Sequence, residues 1–230
     1  MQPEKIAFLS VAMVLVSGAA MADDAASGGL YARLEGGVSF PENLKQDLSF
    51  NPNIVFVVAP PSRQTVDAGT GYAAGGAIGF RYENGVRTEL EYRYQSSEID
   101  DVSFDAGAPM VFPDASLTAH LLMTNVVYEF RNSSRLTPFI GGGVGGAWVK
   151  SSLGVGDATD TDLTYAYQGR AGVALAINRS TRVGVEYVYV RTGELNYGPE
   201  EFTPTGPAGP QISEGEFAAS TALLSFEKSF

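Results

Sequence analysis

Along residues 86–95, VRTELEYRYQ, apolar and polar positions alternate without a break. Val86, Thr88, Leu90, Tyr92 and Tyr94 share one parity, and Arg87, Glu89, Glu91, Arg93 and Gln95 share the other. A period of two marks a β-strand with one apolar and one charged face. Similar runs occupy residues 29–40, 71–82, 116–130, 137–150, 164–177, 182–191 and 217–230. Together they predict eight strands. The connections alternate in length. Residues 83–85 (ENG), 131–135 (RNSSR) and 178–181 (NRST) are tight turns, whereas 41–70, 96–115, 151–162 and 192–216 are long. Short turns at one end and long loops at the other predict an all-β fold. The expected form is an eight-stranded antiparallel up-and-down transmembrane β-barrel.

The chain ends bear on which face meets lipid. Residues 1–22, MQPEKIAFLSVAMVLVSGAAMA, have a charged start, an apolar run and a small-x-small site at Ala20 and Ala22. This is the pattern of a cleaved signal peptide, leaving residues 23–230 as one barrel domain. No Cys follows the cleavage site, so no lipoprotein anchor is expected. The absence of Cys also means that an exported chain must be stabilised without disulfides. A formal charge of −11 argues against a nucleic-acid partner. The long loops hold 16 acidic residues against Lys45 and Arg63, which predicts an acidic outer end.

If the aromatic face meets lipid, the inward set is Arg33, Glu35, Arg81, Arg87, Glu89, Glu91, Arg93, Glu129, Arg170, Glu186 and Glu227. Five Arg stand against six Glu, with no Lys. Buried charges require partners, and Arg makes planar paired bonds to carboxylates. Lys228 and Arg191 fall on the aromatic face but near strand ends, where they can snorkel. Glycines on the inward parity of residues 137–150 are expected to leave room for the long side chains opposite.

Two motifs carry a family resemblance. LMTNVVYEF (122–130) followed by LTPFIGGGVGGAWV (136–149) resembles the N-x-x-Y-[DE]-F … TP-aromatic-[IV]-G-x-G-x-G stretch of OmpA-like and opacity-type eight-stranded surface proteins. The end ALLSFEKSF (222–230) resembles the terminal signal of outer-membrane barrels. Ala222, Leu224, Phe226 and Phe230 match it, and Lys228 stands where an aromatic is usual. The resemblance implies residence in the cell outer membrane and contact with outer-membrane lipid and lipopolysaccharide. It also implies recognition by the barrel-insertion machinery and a monomeric state. No peptidoglycan-binding domain is expected after Phe230.

Catalytic and cofactor signals are weak. Gly141, Gly143 and Gly146 satisfy G-x-G-x-x-G, but AWVKSS continues a strand where a nucleotide site needs a helix. Asn132-Ser133-Ser134 and Asn178-Arg179-Ser180 are sequons that read as turns. Asp157, Asp160 and Asp162 lack the spacing of an EF-hand and read as a solvated loop. The lipid A deacylases among small barrels place a Ser two residues after a His. Here the order is His120-Leu121-Leu122. No catalytic, metal or cofactor residues are expected. The expected function is a non-enzymatic surface barrel that supports the envelope and displays loops, including for adhesion. The rival readings are a small porin or transport barrel and a lipid-modifying hydrolase. Val55, Phe56, Val57, Met110 and Phe112 are apolar loop residues, and any receptor contact is expected there.

Overall fold

The computed structural model describes residues 29–50, 62–105, 115–152, 159–197 and 210–230. The expected signal peptide lies outside them, as do Val55, Phe56, Val57, Met110 and Phe112. Ten strands are present: β1 (Gly29–Pro41), β2 (Leu44–Phe50), β3 (Arg63–Ala68), β4 (Gly71–Arg81), β5 (Val86–Phe104), β6 (Ser116–Glu129), β7 (Leu136–Ser152), β8 (Thr159–Ala176), β9 (Thr181–Tyr197) and β10 (Pro210–Ser229). They form eight staves. β2 continues β1 beyond a break at residues 42–43, and β3 leads into β4 across residues 69–70. β1 pairs with β4 and β2 with β3, so these four make one long interrupted hairpin. Every described pairing is antiparallel, and β10 pairs back onto β1 from Tyr31↔Ser229 to Pro41↔Ala219. The barrel is closed.

The strands run further outward than the periodicity predicts. Residues 41–70 are not one loop, because β2 and β3 occupy much of them. Likewise β5 runs to Phe104, β7 to Ser152 and β9 to Tyr197. Beyond the lipid the outer faces turn polar, as at Ser96, Glu98 and Asp100, while Ile99 and Val102 still point inward. Apolar contrast there is slight, so these segments read as loops.

The lipid-facing band draws on all eight staves. Leu34, Ile78, Leu90, Val126, Val144, Val173, Val185 and Leu224 are exposed, with Leu224 at 67% and Val144 at 66%. In water such a continuous patch would drive association, whereas in hydrocarbon it is the matched surface. Aromatic rings flank it at both ends. Phe80–Tyr82 and Tyr128–Phe130 pack edge-on, 5.0 and 5.2 Å between centroids, near the short turns. Tyr72–Tyr94 and Tyr94–His120 pair at 5.9 and 5.2 Å near the other rim.

The short turns have a common chemistry. Asn84, Asn132 and Asn178 each accept a backbone N–H two residues on, at 3.0, 2.8 and 3.0 Å. Gly85 takes φ +87°, a left-handed geometry that favours glycine. The two sequons are thereby accounted for as turn residues.

Inside, the barrel has two zones. The half near the short turns holds the charges. The outer half is apolar: Leu44, Val66, Ile99, Val102, Leu117, Leu121, Met123, Val149, Val190, Leu195 and Phe217 form one buried cluster. Its wall bulges where Thr192 and Gly193 together face Phe217, and the Thr192 hydroxyl accepts the Phe217 N–H at 3.0 Å. The charges that parity turns inward therefore fill only part of the lumen. Above Gln95 the inward side chains of β5 are Ser97, Ile99 and Val102.

Candidate functional site

β5 supplies the spine of the inner zone. Arg87, Glu89, Glu91 and Arg93 point inward in succession, because alternate residues of a strand share a face. β1 adds Arg33 and Glu35, β4 Arg81, β6 Glu129, β8 Arg170, β9 Glu186 and β10 Glu227. All are buried or nearly so.

Their pairing falls into two tiers. Nearest the short turns, Glu129 meets Arg81 at 3.2 Å, Arg87 at 3.3 Å and Arg182 at 3.0 Å. Glu227 meets Arg81 at 2.6 Å and Arg87 at 3.1 Å. In the tier above, Arg33 spans Glu35, Glu89 and Glu91 at 2.9, 3.0 and 3.1 Å and also bonds Glu186. Arg170 reaches Glu89 at 3.1 Å and bonds both Glu91 and Glu186. Arg93 meets Glu35 at 2.9 Å and bonds Glu91. Neutral amides extend the tier. Asn125 donates to Glu91 at 2.8 Å, and Gln168 donates to Asn125 at 2.7 Å.

The parity count left out several members. Arg182, a quarter exposed, is the sixth arginine and makes the set six against six. Tyr31 is fully buried, donates to Glu89 at 2.6 Å, and lies beneath the Arg81 and Arg87 guanidinium groups at 4.8 and 5.8 Å. Phe139 faces Arg87 from the other side at 4.8 Å. These two aromatics line the lumen, contrary to the expectation that aromatic positions all face lipid. The cation–π attraction of stacked guanidinium groups offsets the missing apolar contact.

Across the ladder from β8, Gly141 stands opposite Arg170 and Gly143 opposite Gln168. A side chain at Gly143 would strike the Asn125 amide oxygen, with the added carbon 2.0 Å away. That glycine makes room for Asn125, the amide that bonds Glu91. It does not face an arginine directly.

This arrangement leaves little free chemistry. The glutamates are held by arginines. Among the described residues no group of three or more His, Cys, Asp or Glu could hold a metal ion. A cleft lined by Arg33, Arg87, Phe139, Arg182 and Glu227 has room for about one water. On the outer wall His120 Nδ1 shares a hydrogen bond with the Tyr92 hydroxyl at 2.8 Å.

A closed antiparallel barrel with an apolar belt, two aromatic girdles and a charged interior defines a transmembrane barrel protein. The chain belongs to the family described as outer membrane protein beta-barrel domain, whose model matches residues 8–208. It is a protein of the cell outer membrane. It is 28% identical over 206 residues to an outer membrane protein of Gluconacetobacter diazotrophicus, covering 82% of this chain and 53% of that one. The chain therefore spans about half the length of that curated relative. In fold it is similar to the outer membrane protein OprG from Pseudomonas aeruginosa. The TM-score is 0.58 at 11% identity, over 89% of this chain and 99% of that one. It is also similar to the outer membrane protease OmpT from Escherichia coli. There the TM-score is 0.51 at 8% identity, over 88% of this chain and 97% of that one. At these identities the two likenesses concern the fold alone.

Proposed function

We propose that this chain is a non-catalytic surface barrel that braces the outer membrane and presents its outer strands and loops for attachment. The observation that carries the reading is the filled lumen. Eight strands enclose a space that side chains can fill. Here six Arg and six Glu occupy the inner zone, and packed apolar side chains close the outer zone. A porin or transport barrel needs a wetted path, and the dry outer zone opposes one. A hydrolase needs a nucleophile beside a base, and the ring nitrogen of His120 is engaged with a phenol. The likeness to a protease does not alter this, because it rests on fold. In this reading the outer barrel wall contacts lipid and lipopolysaccharide, and the apolar residues Val55, Phe56, Val57, Met110 and Phe112 serve receptor contact.

A planar-bilayer recording tests the reading. The folded chain is expected to give no steady conductance. Lasting currents of the size carried by general diffusion porins would overturn it and favour transport.

A further inference from the structure

The end of the barrel that carries the short turns has a collar of exposed cations. Arg131 and Arg135 sit in the turn between β6 and β7, Arg179 in the turn between β8 and β9, and Lys228 at the end of β10. In the turns at this end Glu83 is the one exposed acid among the described residues. The opposite end exposes Glu42, Asp47, Glu98, Asp100, Asp105, Glu194 and Glu216 against Lys45, Arg63, Lys150 and Arg191, so acids prevail there among the described residues. Short turns face the periplasm in this class of barrel, so the charge asymmetry is directed across the membrane.

The depth of the collar decides what it meets. Phe80, Tyr82, Tyr128, Phe130 and Phe226 are exposed at this end and mark where hydrocarbon gives way to headgroups. Arg131 lies directly beside this girdle and donates to the Tyr82 carbonyl at 3.1 Å. Lys228 stands on the lipid-facing parity of β10, two residues from Phe226, and its ammonium donates to Ser180 Oγ at 2.7 Å. Both cations are anchored by neutral oxygens. Among the described residues no ion pair consumes any of the four. The lumen charges by contrast cancel internally and leave nothing to neutralise the collar.

We infer that this collar binds the phosphodiester headgroups of anionic phospholipids in the inner leaflet. The cations lie at headgroup depth along the staves from β6 to β10, which suits an arc of lipids better than a single polymer in the periplasm. Each cation held at a charged membrane surface favours an anionic lipid over a neutral one by about fivefold.

Quenching by brominated phospholipids tests this in vesicles that hold the folded full chain. Trp148, the only tryptophan, sits by the far girdle and reports on the outer rim. Phe130→Trp in a Trp148→Phe background reports on the collar. At the collar, brominated phosphatidylglycerol is expected to associate about fivefold more strongly than brominated phosphatidylcholine. The preference should collapse at about 1 M salt, where screening is short-ranged. It should also vanish in the Arg131→Gln, Arg135→Gln, Arg179→Gln, Lys228→Gln variant, and Trp148, with Lys150 exposed beside it at the acidic end, should show a smaller one. Equal quenching by the two lipids at the collar would overturn the inference. So would a preference that survives salt, or an equal preference at Trp148. Capture of soluble peptidoglycan fragments without any lipid preference would assign the collar elsewhere and overturn it too. If the fourfold variant does not fold, the salt titration on the otherwise intact reporter still decides.

Discussion

At the scale of single residues, the six arginines are not equivalent. Arg93 is fully buried and holds Glu35 and Glu91, with only Gln168 as a neutral neighbour in reach at 3.3 Å. Arg93→Ala leaves Glu35 to Arg33, and Glu91 to Arg33 and Arg170, so that six buried carboxylates share five arginines. It is expected to cost about 3–5 kcal/mol, read as a lowered denaturant midpoint in lipid or detergent. Adding Glu91→Gln should restore part of the loss, and an unshifted midpoint in Arg93→Ala would refute the account. Such residues are legible from sequence because parity within a strand is rigid: Arg87 to Arg93 could only share a face. Arg182 escaped notice although it shares parity with Glu186, because it lies at a strand start. Tyr31 escaped because an aromatic on a charged face looks like an exception until the guanidinium groups stacked on it are seen.

At the scale of elements, the outer hairpin is the part that periodicity missed. β3 sets Asp67 directly opposite Asp101 of β5, beside a register shift that leaves Asp100 as an extra residue. Like charges facing across a ladder are destabilising. A hydrogen bond that the protonated Asp101 carboxyl donates to Asp67, followed by burial and the charges of Asp67 and Asp100, raises the Asp101 pKa. This site lies beyond the apolar belt, which ends near Tyr94 on this strand. A raised folded-state pKa means the contact is fully favourable below the unfolded value of about 4 and weakens as pH rises through the raised one. Protection of the β3 amides, taken relative to the intrinsic exchange rate at each pH, is expected to fall over that window. Asp101→Asn should flatten the fall and raise protection at neutral pH, and a parent chain whose β3 protection stays constant over the window would contradict this. Sequence concealed these strands for a physical reason. In water a strand's outer face is polar, so only small inward cues such as Val66, Ile99 and Val102 remain. At the other extremity, the Phe230 N–H donates to the Leu30 carbonyl at 3.0 Å, beside the first rung of the closing seam. Deleting Phe230 is expected to block assembly while leaving secretion intact, checked by loss of heat-modifiable gel mobility. Normal mobility would rule that out.

At the scale of the whole molecule, closure joins the first strand to the last, as where Tyr31 pairs with Ser229. Few of the ionic contacts are local, so the inner zone cannot form until the last strand arrives. The eight staves were legible because lipid outside and charge inside give the strongest contrast a strand can carry. The division of the lumen into charged and apolar zones was not, because parity says which way a residue points and nothing of the height at which its neighbours change character. The charged lumen has a further consequence for the journey that precedes folding. With a glutamate or arginine interleaved among the leucines and tyrosines, the chain's mean hydropathy is 0.00. None of the described segments forms a helix long and apolar enough to cross a bilayer. Interleaved charges keep each described strand well short of the roughly 20 apolar residues that a spanning helix needs. The ion pairs that later fill the barrel are, before it exists, the groups that let the polypeptide pass one membrane in order to reside in another.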